Sequence, residues 1–318
     1  MREKYRLYYY SLLGAAGGLT GWFLQAVLYR GVQSQEWRVL APRGAILGAL
    51  IGVGLAAYEG IASRSFIRFV AKFGAYGLGL GLLAGGLALP LAQEAYCRLG
   101  ACVQSATSPV EPGLTILLGI VCWALFGGLI GLIEGVGKGT QFYKGLLGGL
   151  LGGAIGGCLH EPVRVLKTTD DPLLSQVLIA VSLTFLGACI GLAVSLVATL
   201  LSEATIEVLD GKIAKRVYDV TQYVDRKARK QTRGIIGKDK TRANIFLPGD
   251  EAVLPQHAYI GYANEEPTIS ASPEAQKNKV PVLLNGRPVV TFPLSNNDII
   301  KIGNTSLQYH QLRKKKKR

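Results

Sequence analysis

The side chains that could carry out chemistry in this sequence are few and far apart. There are three histidines, His160, His257 and His310, and each falls in a different segment. No cysteine, histidine or acidic residue has the spacing of metal ligands, and no nucleophile has a base that can be paired with it. The sequence therefore predicts a protein that is not an enzyme and that needs neither a metal nor a cofactor.

Three acidic residues recur near the ends of apolar segments. Glu59 and Glu134 are separated by 75 residues, and Glu134 and Glu203 by 69. An ionisable residue in a membrane segment is a candidate for function. An acid at a helix C-terminus also faces an unfavourable dipole, so each needs a cationic partner. Two interpretations stay open, a structural network at the cytoplasmic membrane rim and an ion-coordinating ring.

Basic side chains form two groups in the second half of the chain. Lys238, Lys240 and Arg242 lie within five residues, and residues 313–318 are six consecutive basic residues. The first group could attract an acidic or phosphorylated segment of a protein. Attraction of the second to anionic lipid is worth about 1 kcal/mol per residue near a membrane surface, although a solvated tail is the alternative. Aromatic side chains are not interleaved, so nucleic acid is an unlikely partner.

The elements that must position these residues differ between two halves of the 318-residue chain. Residues 1–203 hold 34 of the 41 glycines, all five cysteines and a net charge of +4. Residues 204–318 carry a net charge of +10, and the whole chain is 49% hydrophobic and 18% charged. A charged fraction this far below the usual quarter excludes a disordered chain and an ordinary soluble enzyme. We predict a glycine-rich polytopic membrane domain at 1–203, a folded domain at 204–311 and a polybasic tail at 312–318.

The first half contains six apolar stretches of about the length that a spanning helix needs. They are residues 8–29, 44–62, 70–92, 113–135, 143–159 and 173–201. The fifth is the shortest. The first exceeds the 7–15 apolar residues of a signal peptide, so we expect an uncleaved anchor. No Asp, Lys, Arg or His lies near the middle of a stretch, which argues against a proton-coupled carrier.

Loop charges favour a cytoplasmic location for both termini. The protein is therefore predicted to be a multi-pass protein of the plasma (inner) membrane. This topology places the loop 93–112 outside, where an oxidising compartment permits a disulfide. We predict a Cys97–Cys102 bridge there, and two unpaired cysteines at the membrane interface are the alternative.

Glycines recur three and four residues apart through the membrane half, as in Gly44/Gly48/Gly52 and Gly127/Gly131/Gly135. Small residues at this spacing let helix backbones approach closely. Together with the repeated acids, the pattern predicts an α-helical bundle of three hairpin repeats. The glycines are interpreted as packing positions within the chain or in a homo-oligomer, and a pore or mobile bundle is the alternative.

The second half changes to short β-rich runs separated by turn residues. An example is Asn285-Gly286 between the apolar runs 282–284 and 289–292, which is a strong hairpin signal. Ten such runs at regular spacing predict an all-β sandwich.

Several motifs in this half resemble those of the forkhead-associated (FHA) domain. In chain order they are Gly234-Ile-Ile-Gly-Lys238, Asn244-Ile-Phe-Leu-Pro248, His257-Ala258, Leu284-Asn-Gly-Arg-Pro288 and Asp298-Ile-Ile-Lys-Ile-Gly303. The resemblance covers about residues 205–311. It implies an eleven-stranded β-sandwich that binds phosphothreonine peptides through the loops at one end.

The resemblance also implies that this FHA-like domain is degenerate. The family's phosphate-binding arginine corresponds to Lys238, its phosphate-binding serine to Leu254, and the asparagine that contacts the peptide backbone to Val280. Lysine keeps a charge but lacks the two-pronged geometry of arginine. The positions that shape the family's scaffold are kept, with a structural role implied for the histidine: Gly237, His257, Asn285, Gly286 and Gly303.

Two functions follow as hypotheses. The first is an integral membrane protein that presents a cytoplasmic FHA-like interaction domain, as a signalling or assembly scaffold, to a protein that is acidic or phosphorylated. The second is a small channel or transporter that the FHA-like domain regulates. A pore needs polar residues along a span, and few are present, which favours the first.

Overall fold

The structure is a computed structural model that describes residues 3–31, 36–63, 76–98, 112–135, 142–165, 171–224, 233–239 and 241–312. The contacts divide the chain into two compact units. The helical unit is Arg6–Leu200, and the β unit is formed by the chain from Leu201 onward together with the first five residues.

The described residues of the first part of the chain form six long helices. They are α1 (Glu3–Leu28), α2 (Trp37–Ser63), α3 (Gly79–Arg98), α4 (Pro112–Gly135), α5 (Phe142–Val165) and α6 (Pro172–Leu200). Among the described residues, five helices are long and apolar enough to cross a membrane, and the sixth, α3, lies in a shorter apolar stretch, Tyr76–Leu91. The prediction of a helical region with membrane-spanning potential is confirmed. Within the described residues, the apolar stretch of the fifth helix spans Phe142–Val163 and that of the third spans Tyr76–Leu91.

The fifth helix is longer than the apolar pattern indicated because it continues past residue 159 to Val165. This continuation places His160 and Glu161 inside the helix, where their exposed fractions are 7% and 2%. Both residues lie outside the predicted stretch 143–159, because an apolar stretch defined by hydropathy ends at the first pair of polar residues.

Glycines that face each other bring three pairs of helices into backbone contact. The pairs are Gly14 of α1 with Gly187 of α6, Gly44 of α2 with Gly85 of α3, and Gly127 of α4 with Gly149 of α5. In each pair, a Cβ atom on either glycine would collide with the carbonyl oxygen of the other. The predicted hairpins are α1–α2, α3–α4 and α5–α6, so the α2–α3 and α4–α5 contacts join successive hairpins. The α1–α6 contact closes the six helices into a ring.

Large side chains fill the ring from alternate helices. The fully or almost fully buried ones are Leu47, Ile51 and Leu55 of α2, Phe126, Ile130 and Ile133 of α4, and Leu186, Ile190 and Val194 of α6. Apart from Tyr10 of α1, which is fully buried, the helices α1, α3 and α5 contribute mainly glycine and alanine, which allow close approach. Close backbone contacts of this kind add dispersion attraction between the helices.

The described residues of the β unit form eleven strands in two sheets. They are β1 (Ala204–Val208), β2 (Val217–Asp219), β3 (Gly234–Gly237), β4 (Ile245–Phe246), β5 (Ala258–Ala263), β6 (Glu266–Ala271), β7 (Val282–Leu284), β8 (Arg287–Val289), β9 (Thr291–Pro293), β10 (Ile299–Ile302) and β11 (Thr305–Gln311). The strand orders are β2-β1-β11-β10-β7-β8 and β4-β3-β5-β6-β9. Buried aliphatic residues of both sheets form one core, so the predicted β-sandwich is confirmed.

Two short helices interrupt the strands, α7 (Thr221–Val224) and α8 (Pro273–Lys277). One predicted run, 289–292, is divided between two strands. The strand β8 pairs with β7 in the first sheet, and β9 pairs with β6 in the second. Val290 lies between them, and its carbonyl accepts the Ala271 N–H at 2.8 Å. Alternation of side chains cannot reveal such a change of partner, because both strands keep the same period.

The strand registers define two ends of the sandwich. The apical end carries the loops 238–244, 247–257 and 272–281 and the β10–β11 turn at 303–304. The basal end carries the start of β1, where Ala204 lies opposite Gln311, and the β7–β8 turn at 285–286. The chain therefore enters the sandwich at the end opposite the apical loops.

Candidate functional site

The apical end is held together by backbone hydrogen bonds between two loops. The Lys238 N–H donates to the Leu254 carbonyl at 3.1 Å, and the Asp239 N–H donates to the Pro255 carbonyl at 3.2 Å. A Cβ atom at Gly237 would collide with the Pro255 carbonyl, so only glycine permits this approach. The two predicted site residues Lys238 and Leu254 are thereby brought side by side.

His257 lies under this pair and fixes the loop that carries Leu254. It is fully buried, and its Nδ1 accepts the Leu254 N–H at 3.2 Å. Burial lowers the pKa of His257, so the ring is neutral at pH 7 with its proton on Nε2. Its own backbone N–H donates to Ile236 of β3 at 2.8 Å. The geometry gives this histidine a positioning contact and no access to a ligand.

The basic loop 238–242 is shaped by Asp239. Its Oδ1 accepts the Thr241 N–H at 2.8 Å, the Thr241 hydroxyl at 2.7 Å and the Arg242 N–H at 3.2 Å. These bonds, the Thr241 N–H first among them, lower the pKa of Asp239. Because the carboxylate is turned into its own loop, Lys238 and Arg242 are left exposed as the cations of this surface. Lys240 lies outside the described residues.

Lys238 also reaches across to the neighbouring loop. Its Nζ donates to the Glu251 carbonyl at 3.4 Å, which is a long and weak hydrogen bond. An anion that approaches this nitrogen can replace such a bond at little cost. Leu254 beside it is half-buried and offers an apolar surface where the family resemblance expects a hydroxyl.

The third apical loop contains α8, which the sequence pattern did not indicate. Ser272 caps this helix by accepting the Ala275 N–H at 3.0 Å. The Val280 N–H returns to the Ala275 carbonyl at 3.0 Å, so this half-buried valine belongs to the folded loop. Lys279 precedes it with a φ of 55° and is exposed. This lysine is an apical cation that motif comparison missed, since it has no counterpart in the motif.

Asp250 joins the loop 247–257 to the β10–β11 turn. Its carboxylate accepts the Asn304 N–H and the Thr305 hydroxyl, each at 2.8 Å, and the Ala252 N–H at 3.1 Å. Partial burial favours protonation, but these hydrogen bonds outweigh it and hold the pKa of Asp250 below its usual value. Gly303 has a φ of 61°, and a Cβ there would lie 3.0 Å from the same carboxylate.

Replacing Asp250 with asparagine is expected to destabilise the β unit in a pH-dependent way. At pH 7 the loss is about 1–3 kcal/mol, because one oxygen that accepts hydrogen bonds becomes a donor. Because the pKa of Asp250 is lower in the folded protein than in the unfolded chain, the ionised carboxylate stabilises the fold at any pH above the pKa of the unfolded chain. This stabilisation is lost as pH falls through the pKa of the folded protein. The gap between wild type and Asp250→Asn should therefore close below about pH 4. Scanning calorimetry of the full chain between pH 7 and pH 3 measures it.

The control for this experiment is Glu251→Gln, which removes the same charge from the next residue on an exposed side chain. It should unfold like the wild type at each pH. A gap between wild type and Asp250→Asn that stayed constant with pH would contradict the role of the carboxylate charge.

The remaining scaffold residues lie at the basal end. Asn285 and Gly286 form the β7–β8 turn with φ values of 50° and 82°. The Asn285 side chain donates to Asp298 Oδ1 at 2.8 Å and accepts the Ile299 N–H at 2.9 Å. These residues close the hairpin and order the start of β10, and they lie at the end opposite Lys238.

The other predicted sites are not brought together by the described residues. The side chains of Glu59, Glu134 and Cys97, and all of Cys102, lie outside them, so the acidic ring and the disulfide stay predictions. Glu203 follows α6, and its backbone belongs to the β unit: its N–H donates to Thr221 Oγ1 at 2.9 Å, and its carbonyl accepts the Leu312 N–H at 2.9 Å. Within the part of the chain that the structure describes, no group of three His, Cys, Asp or Glu side chains could hold a metal ion.

Comparison with known proteins finds similarity among solved structures. No protein-family model matches the chain, and no curated protein matches it. An FHA domain studied for phosphothreonine-dependent interactions is 20% identical over 34% of this chain and 94% of its own, with a TM-score of 0.26. The FHA domain of the CT664 protein from Chlamydia trachomatis is 22% identical over 34% of this chain and 95% of its own, with a TM-score of 0.27.

A third solved structure extends beyond the β unit. EmbR from Mycobacterium tuberculosis, in complex with a low affinity phosphopeptide, is 13% identical over 85% of this chain and 73% of its own, with a TM-score of 0.27. The sandwich itself is established by its strand order and register.

Proposed function

We propose that the apical end of the β-sandwich binds an acidic or phosphorylated segment of a cytoplasmic protein, and that the helices hold this domain at a membrane. The observation that carries the proposal is the position of Lys238. The loop contacts through Gly237 set it beside Leu254, and its ammonium group is exposed with only a weak hydrogen bond to Glu251.

The apical surface is basic on two of its loops, 238–244 and 272–281, which supports an anionic partner there, whereas its loop 247–257 carries Asp250 and Glu251. Lys238, Arg242 and Lys279 are exposed on two of its loops, and the Asp239 carboxylate is occupied by three hydrogen bonds inside its own loop. Charged groups arranged in this way mainly raise the association rate and favour a partner of the opposite charge. By sequence Lys240 adds a further positive charge to the loop 238–242, and Lys277 is also exposed on the loop 272–281.

We expect binding at this site to depend less on phosphate than binding at a site built on arginine. A lysine ammonium is a point charge, whereas arginine can hold two phosphate oxygens at once. Leu254 supplies apolar contact area and no donor. We therefore expect binding to depend on negative charge first and on phosphate geometry second, so that an aspartate-rich segment competes with a phosphothreonine.

The helical unit has the length and composition to span a membrane, which supports the anchoring half of the proposal. In this proposal residues 1–203 are the membrane domain, both termini are cytoplasmic, and the polybasic residues 312–318 lie against anionic lipid. Contacts between exposed apolar helix faces of two copies would form a homo-oligomer. The scaffold role in signalling or assembly follows from the absence of any catalytic arrangement in the sequence.

The test is peptide binding to the full chain in nanodiscs of neutral lipid. Paired peptide libraries that differ only in threonine, phosphothreonine or aspartate at one position would be compared at low and high salt. We expect phosphothreonine and aspartate peptides to bind and threonine peptides not to bind, with affinity falling as salt rises. Equal binding of all three classes, or none, would exclude an anion-selective apical site.

A further inference from the structure

A second candidate site lies wholly within the helical unit. A cavity of about 300 Å³ opens there, and each of the six helices contributes lining residues. The volume lies at the lower end of the range of small-molecule sites in proteins. Most of the wall is apolar, and the lining side chains that carry polar groups are Gln25 of α1, Arg43 of α2, Trp123 of α4 and His160 and Glu161 of α5.

Glu161 is the acidic group of this cavity. It is 2% exposed, and its Oε1 accepts the Trp123 indole N–H at 2.6 Å. A carboxylate in an apolar helix bundle is costly unless it is paired and hydrogen-bonded. The short indole bond orients the carboxylate along the cavity wall, because Trp123 itself is 6% exposed and packed in the core.

His160 is fixed beside the same tryptophan. Its Nδ1 lies 2.8 Å from Ser182 Oγ, and that hydroxyl donates to the Ile179 carbonyl at 2.9 Å. The serine hydroxyl therefore links the imidazole ring to the α6 backbone. The ring stands edge-on to Trp123 with centroids 4.9 Å apart. The acidic side of the cavity is therefore rigid and presents polar atoms in a set orientation.

The other polar side of the cavity comes from α1 and α2 and consists of donors. The Gln25 Nε2 is buried without a hydrogen-bond partner in the structure. The Arg43 guanidinium lies 5.0 Å from the centre of the Tyr29 ring, and its Nη2 donates to the Tyr29 carbonyl at 3.4 Å. A buried donor without an acceptor costs about 1–3 kcal/mol, which a ligand with an acceptor group can recover.

We propose that this cavity binds a small zwitterion with an apolar body, an α-amino acid with an aliphatic or aromatic side chain. The carboxylate of the ligand would meet the donors of Arg43 and Gln25, and its ammonium group would meet Glu161. The aliphatic wall, with Phe126, would take the side chain. A ligand with only a negative charge would lie near the Glu161 carboxylate, and a ligand with only a positive charge would lie near the Arg43 guanidinium. Repulsion between like charges is strong in a low dielectric, so both ligands should bind less well than a zwitterion.

The test is equilibrium dialysis of the full chain in detergent with radiolabelled phenylalanine, leucine and tryptophan. Phenethylamine and 3-phenylpropionate serve as competitors, because each keeps the apolar body of phenylalanine and only one of its charges. We expect saturable binding of at least one amino acid, with both single-charge analogues at least tenfold weaker than phenylalanine. Absence of saturable binding for all three amino acids, or equal competition by either analogue, overturns the proposal.

Variants separate the cavity from other sites on the protein. Glu161→Gln keeps an oxygen for the Trp123 N–H and should weaken amino-acid binding at least tenfold. The affinity for 3-phenylpropionate relative to phenylalanine should rise, because 3-phenylpropionate has no ammonium group. Glu94→Gln, on the exposed part of α3, is the matched control and should bind as the wild type does. If Glu161→Gln fails to fold, Arg43→Gln replaces it. In that variant the affinity for phenethylamine relative to phenylalanine should rise, because phenethylamine has no carboxylate. Unchanged binding in the folded variant overturns the proposal.

Discussion

Replacing Lys238 with glutamate is expected to abolish binding of acidic and phosphothreonine peptides to the full chain. The exposed ammonium is the only candidate for direct phosphate contact that the apical loops place beside Leu254 among the described residues. A hydrogen bond to a charged group is worth about 1.5–3 kcal/mol, or a loss of about 10–100-fold for Lys238→Ala. Reversal of the charge adds repulsion to that loss. Fluorescence anisotropy with one phosphothreonine peptide measures both variants.

The reverse substitution sharpens the test. Lys238→Arg should bind the phosphothreonine peptide several-fold more tightly than the wild type and should raise its preference over the aspartate peptide, because a guanidinium can hold two phosphate oxygens. Lys301→Glu is the control: it reverses an equally exposed charge on β10, outside the apical loops. If Lys238→Glu bound as well as Lys301→Glu, the peptide site would lie elsewhere on the molecule.

Much of the β-sandwich could be predicted because its turns are encoded by local sequence. Asn285-Gly286 needs two positive φ angles, which these residue types adopt easily, and it forms the turn between β7 and β8. The motif around Gly237 and His257 could also be read in advance, since a close loop contact requires glycine and a buried ring requires a fixed partner. The structure shows both contacts, to Pro255 and to the Leu254 N–H.

Other features depend on contacts that sequence spacing does not contain. The helix α8 is only five residues long, and its Ser272 cap is tied to the Gln256 carbonyl of another loop. The exposed Lys279 is placed by that helix. In the helical unit, His160 and Glu161 end an apolar pattern and look like loop residues until Trp123 and Ser182 are seen beside them. Long-range pairing of this kind leaves no periodic signal in one sequence.

The glycine pairs of the helical unit lead to the second large prediction. Gly85→Val should strongly destabilise the helical unit, because its side chain would occupy the position of the Gly44 carbonyl and press on the Ala45 backbone. The two helices must then separate, which also opens the neighbouring Gly48–Gly81 contact. Overpacking in a close-packed core costs about 1–3 kcal/mol, and the lost backbone contacts add to it. Thermal unfolding of the full chain in detergent, followed by tryptophan fluorescence, measures the loss.

The matched control lies on the same helix. Gly86 lies inside α3 as Gly85 does, and a Cβ atom there would make only ordinary contacts, with the Ala41 carbonyl oxygen and the Ala45 Cβ atom at 3.6 Å. Gly86→Val makes the same chemical change with the same cost in helix propensity, and the difference between the variants therefore isolates the close packing of Gly85 on α2. A low unfolding temperature for Gly85→Val alone indicates that close backbone contact holds the ring together. Equal unfolding temperatures would mean that α3 does not pack through its glycines, and the ring would then depend on the large side chains of α2, α4 and α6.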